Sequence, residues 1–193
     1  EAYTARDFDK IEESLGYEGR FPITDSLAQE AIQLIGSNLV TAFKEPANLE
    51  ARENMALAAT LAGMAFSNAG VAIVHALEYP MGGALHCSHG AGNGLLLPYV
   101  MRFNLPVRKE AMARIATLLG QDVDGLSVAE AAHSAIEAVE ALRREIGIPE
   151  RIRDLGGRED QLPGFAEKAF ALDRLKGVNP RKVMLEDLEQ ILR

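Results

Sequence analysis

The sequence predicts an all-α protein folded as a compact bundle of about seven or eight helices. Three observations lead there. Apolar residues recur at spacings of three and four through most of the chain, as in Leu27, Ala31, Ile32, Leu34 and Ile35. Gly or Pro bounds many of these runs, at Pro46, Gly82-Gly83, Pro106, Gly120 and Gly147, while Pro98 lies inside one. No segment alternates with period two; the one apolar run of strand length, residues 95–100, carries Pro98, which suits no central strand.

Taken in order, residues 1–5 read as the last turn of a helix, and residues 7–22 as a linker broken by Gly16, Gly19 and Pro22. Thr24 or Asp25 caps a helix that reaches Phe43. Pro46 and Asn48 separate it from a central helix over residues 49–67 with Met55, Leu57, Ala58, Leu61, Ala62 and Phe66 on its apolar side. Asn68-Ala69-Gly70 breaks that helix before residues 71–75 continue. Gly82-Gly83 marks a turn after Pro80, and the next helix starts at Ser88 or His89 and reaches Arg102, bent at Pro98. Pro106 opens a helix that ends at Gly120. Ser127 and Glu130 have capping-box spacing, so a helix runs over residues 127–146 before Gly147. Two further helices are expected over residues 158–175 and 179–192, the last capped by Asn179 with Pro180 at its first position.

Composition bounds the function. A chain of 193 residues, 48 % apolar and 25 % charged, has the means to bury one core, so one domain is expected over residues 1–193. A formal charge of -8 without a basic stripe argues against nucleic acid as partner. Cys87 stands alone, which excludes an internal disulfide framework and suits a reducing, cytoplasmic setting. Residues 55–77 are interrupted by Thr60, Gly63, Ser67, Asn68, Gly70 and His75, too often for a membrane span. The start at Glu1 has neither a leader pattern nor an initiator Met, so a fragment of a longer protein is expected.

Chemistry is concentrated in one stretch. His133 lies on an ordinary amphipathic helix and reads as structural. His75, His86 and His89 fall within fifteen residues, near two helix ends that a Gly-rich turn brings together. Neutral imidazole is a common ligand for Zn, Fe, Cu and Ni, but two His make an incomplete set, and spacing alone favours a structural pair. Gly90-Ala91-Gly92-Asn93-Gly94 lacks the strand before it and the Lys-Ser or Lys-Thr after it that a phosphate loop needs, so close helix packing is the preferred reading. Cys87 reads as inert or adjacent to a ligand. Arg143, Arg144, Arg151, Arg153 and Arg158 form a loose basic group expected to pair with nearby Glu.

Two runs carry a resemblance. Residues 63–77, with Asn68-Ala69-Gly70 and His75-Ala76-Leu77, and residues 89–104, with His89-Gly90-Ala91-Gly92-Asn93-Gly94 and Leu97-Pro98-Tyr99, resemble the iron-containing (group III) alcohol dehydrogenases. The fourteen-residue step from His75 to His89 is similar to that between two metal-binding His of the family, and Glu1-Ala2-Tyr3 is similar to the end of the family's Asp-x-x-x-His-x-x-Glu-Ala-Tyr segment. The ending from Asn179-Pro180-Arg181 resembles the family's C-terminus.

The resemblance implies a dehydroquinate-synthase-like C-terminal helical domain that holds Fe(2+) or Zn(2+) through His75 and His89. It implies further that an Asp and a His preceding Glu1 complete the ligand set, and that an N-terminal α/β domain, absent here, binds NAD or NADP. The implied reaction is hydride transfer between nicotinamide and an alcohol or aldehyde whose oxygen the metal polarises. The fragment alone is then expected to be inactive, and its uncovered apolar docking face to drive homo-oligomer formation. Many relatives carry a second His four residues after the first; here that position is Tyr79, which resembles the branch of hydroxyacid–oxoacid transhydrogenases, although that branch's insertion is missing. Tyr79 is the candidate for a residue beside substrate or nicotinamide, with core or surface packing as its alternative. Other reductases on the same scaffold and a non-catalytic helical interaction module are the competing functions.

Overall fold

The computed structural model describes residues 19–193, so the expected terminal helix turn, most of the linker and the Glu1-Ala2-Tyr3 segment lie outside the described residues. Nine α-helices and no strand occur among those described. They are α1 (Pro22–Lys44), α2 (Leu49–Ala69), α3 (Ile73–Leu85), α4 (His89–Asn104), α5 (Lys109–Leu118), α6 (Val128–Glu145), α7 (Leu162–Phe170), α8 (Asp173–Gly177) and α9 (Leu185–Leu192), joined in places by short 3₁₀ turns.

The helices α1 and α2 pack as a hairpin through the buried small residues Ala31, Ala51 and Ala58. At Gly36 a Cβ would stand 2.9 Å from Leu119 Cα, so the absent side chain lets α1 lie directly on the backbone after α5. A larger core fills the space among α3, α4, α7 and α9 with Ile73, Leu77, Met81, Leu96, Phe165 and Leu188. A second core joins α4 to α5 and α6 through Met101, Met112, Ala116 and Ile136. Helix α4 therefore belongs to both cores.

Several boundaries follow the local signals. Ser88 caps α4 by accepting from Ala91 N. Ser127 and Glu130 form the reciprocal capping box of α6. Gly70, at φ +85°, ends α2 in a backbone conformation that a side chain would resist, and the chain bends by 107° into α3.

Others differ from expectation. Helix α1 starts at Pro22, with Thr24 inside its first turn, where its hydroxyl accepts from Phe21 N and donates to Phe21 O; Pro at the first helical position sets this start. Pro80, Gly82 and Gly83 mark no turn: α3 runs through all three to Leu85, and the reversal comes at His86, φ +52°. Burial of Ile73, Leu77 and Met81 outweighs the poor helix propensity of Gly and Pro there. The stretch expected as one helix over residues 158–175 is divided into a 3₁₀ turn, α7 and α8. Asn179 caps nothing. It is buried against Asn104, exchanging amide hydrogen bonds of 2.9 and 3.1 Å, and α9 begins only at Leu185, where Asp187 accepts from Met184 N.

Candidate metal centre

Gly70 and the bend after it start α3 so that His75 lies in its first turn, and Ser88 starts α4 so that His89 is its first residue. The reversal at His86–Ser88 brings the first residue of α4 back against the middle of α3, where His89 meets Glu78 and Tyr79. The rings of His75 and His89 stand 5.2 Å apart, centroid to centroid, tilted by 58°. Two imidazoles on one ion, each with a metal–nitrogen bond of about 2 Å, hold their ring centres roughly 4.5–5.5 Å apart at tetrahedral or octahedral angles. The observed separation fits that arrangement. Tyr79, one turn after His75, sits 6.1 Å from both rings, edge-on to His75 and stacked on His89.

The electrostatics suit a ligand role. His75 is pushed down to about 4, first by burial and then by the neighbouring His89, so near neutral pH its ring is uncharged and keeps a lone pair. His89 is largely exposed, but its Nδ1 lies 2.6 Å from Glu78 Oε2, and the Glu78 side chain is 5 % exposed. Asn93, one turn further along α4, donates to the His89 backbone carbonyl at 3.0 Å and places its amide 3.0 Å from His89 Nε2. The sequence reading does not single out Glu78 or Asn93. The available signal is spacing: Glu78 follows His75 by three residues and Asn93 follows His89 by four, each pair on one helical face.

Among the described residues no group of three or more His, Cys, Asp or Glu is arranged to hold an ion, so His75 and His89 form a partial donor set. His86 occupies the left-handed corner and is exposed. Cys87 lies beside Gly92, its thiol pushed up by burial and by the Glu78 carboxylate, which suits an inert residue. The glycines of residues 90–94 serve packing: a Cβ on Gly92 would stand 2.7 Å from Glu78 Cγ, and one on Gly94 2.7 Å from Ile148 Cδ1. His133 is exposed, with Nδ1 2.8 Å from Ala129 O. The basic group divides: buried Arg143 donates to Leu95 O at 3.1 Å and lies 3.7 Å from Glu150, whereas Arg158 pairs with Asp160 rather than with a Glu. A surface cleft of about 740 Å³ bordered by Tyr99, Arg151, Arg153 and Arg158 takes none of its lining from the imidazole pair.

Comparison with known proteins agrees with this geometry. The family described as Fe-containing alcohol dehydrogenase family, C-terminal, matches residues 12–193. The 1,3-propanediol dehydrogenase of Klebsiella pneumoniae is 45 % identical over 172 residues, 89 % of this chain and 44 % of its own length. The NAD-dependent methanol dehydrogenase of Bacillus methanolicus is 39 % identical over 176 residues, 91 % of this chain and 46 % of its own. A crystal structure of 1,3-propanediol oxidoreductase superposes with a TM-score of 0.87 at 44 % identity, covering 90 % of this chain and 45 % of that one. The chain thus spans a little under half the length of the relatives it matches. With its helical fold and the paired imidazoles in view, the chain belongs to the Fe-containing alcohol dehydrogenase family, as its C-terminal part.

Proposed function

We propose that these helices form the metal-holding part of an NAD(P)-dependent alcohol dehydrogenase acting on small alcohols and aldehydes. The observation that carries the reading is the approach of the His75 and His89 rings to 5.2 Å at the start of two helices. The names of the relatives, a propanediol and a methanol dehydrogenase, support the substrate class, and the second supports NAD. A ferrous or zinc ion bound there supplies Lewis acidity toward an alcohol oxygen, while the nicotinamide supplies the redox chemistry.

This chain's residues have separate tasks in that reading. His75, uncharged near neutral pH, and His89 hold the ion through ring nitrogens. Tyr79, 47 % exposed and flanking both rings, packs against substrate or nicotinamide and orients it. The remaining ligands and the nicotinamide site belong to parts of the enzyme outside residues 1–193. The same reading has the enzyme act in the cytoplasm without nucleic-acid or membrane partners, and the acidic balance of the chain supports the lack of nucleic acid. It also has the enzyme self-associate, since Leu57, Met64 and Phe66 along α2 are about half exposed.

Metal analysis of the full-length protein tests the proposal. Iron or zinc is expected near one equivalent, with NAD(P)-linked oxidation of a primary alcohol. His75→Ala and His89→Ala are expected to lose both. Metal content and turnover unchanged in the two variants would refute it.

A further inference from the structure

We infer that Glu78 is a positioning residue for His89, fixing its tautomer and aim so that Nε2 is the nitrogen offered to a metal ion; the inference rests on the metal-centre reading above. Glu78 is buried, at 4 % exposure, on a helix whose neighbouring surface is open, and a buried carboxylate is costly unless something requires it. Its partner is specific. The 2.6 Å contact joins Glu78 Oε2 to His89 Nδ1, and a carboxylate only accepts, so Nδ1 carries a proton and the neutral ring keeps its lone pair on Nε2. The Asn93 amide nitrogen, a donor, stands 3.0 Å from Nε2 and 3.3 Å from Nδ1, nearer the nitrogen given the lone pair.

The slot that holds the carboxylate is built into both helices. A side chain on Gly82, one turn after Glu78, would collide with Glu78 Oε1, and one on Gly92 of α4 would stand 2.7 Å from Glu78 Cγ and 3.1 Å from Oε1. Two glycines therefore give up their side chains to a single acidic residue, and one of them lies on the helix that carries His89. A carboxylate behind a ligating imidazole orients the ring and raises its basicity, and loss of such a partner typically weakens metal binding about 10–100-fold.

The experiment uses full-length protein, with zinc alone as probe, titrated against a chelator of known affinity at pH 8. Metal-free samples are examined in parallel by long-range ¹H–¹⁵N NMR of the His rings. Wild type is expected to show His89 as the Nδ1–H tautomer. Glu78→Gln and Glu78→Ala are expected to weaken zinc binding roughly 10–100-fold, and Glu78→Ala to shift His89 toward the Nε2–H tautomer, with circular dichroism unchanged in the Gln variant. Unchanged affinity in both variants, or a weakened affinity with the His89 tautomer unmoved, overturns the inference. If His75→Ala and His89→Ala bind zinc as wild type does, the metal-centre reading itself fails, whereas the tautomer measurement still judges the Glu78–His89 contact.

Discussion

Gly92 lies so close to Glu78 that a single added carbon would stand 2.7 Å from Glu78 Cγ. The contact crosses from α4 to a side chain of α3, so an added carbon must displace the buried Glu78 carboxylate that meets His89 or push the helices apart. Gly92→Ala is expected to destabilise the protein by about 1–3 kcal/mol through overpacking, despite the better helix propensity of Ala. Urea denaturation of the metal-free protein checks this, and a variant as stable as wild type would show the helices free to separate.

The lowered proton affinity of His75 makes stability depend on pH. Its folded-state value is about 4, below the ordinary 6.5, so the unfolded chain takes up the proton first as pH falls. The stabilisation from the uncharged ring is complete above about pH 6.5 and is lost progressively down to about pH 4. Denaturant midpoints of metal-free protein at pH 7, 5 and 4 are expected to fall, and the fall in His75→Gln to be shallower.

Asn104 and Asn179 satisfy one another in the interior, 75 residues apart in sequence. Asn179→Ala is expected to cost about 1–3 kcal/mol, because the Asn104 amide is left buried and unpaired. Asn104→Ala in the same background is expected to add less than it does alone, which a double-mutant cycle measures.

The capping box of α6 is open to solvent and independent of the metal centre. Ser127→Ala removes the acceptor for Glu130 N and is expected to cost about 1 kcal/mol, read as a lower thermal midpoint with metal content unchanged.

Tyr79 separates packing from positioning in the intact enzyme. Tyr79→Phe is expected to keep KM near wild type, since the ring faces remain. Tyr79→Ala is expected to raise KM roughly tenfold through the lost apolar contact, with metal content unchanged. A Phe variant as impaired as the Ala variant would give the hydroxyl the role instead.

What the sequence alone determined is what adjacent residues encode. The Ser88 and Ser127 caps, the break at Gly70, the Pro98-containing helix and the all-helical class depend on backbone conformation and hydrogen bonds spanning three or four residues. The pairing of His75 with His89 was legible through family resemblance; spacing alone favoured a structural pair. Only the tertiary structure decided the rest. Pro80, Gly82 and Gly83 stay helical because the apolar face of α3 is buried and because Gly82 leaves space for a carboxylate, and neither reason is visible within one turn of chain. Asn179 looks like a cap but meets Asn104 across the fold, and Glu78, which the sequence does not single out, is buried against His89. The value of a buried polar group depends on its partner, and packing, not sequence proximity, supplies that partner.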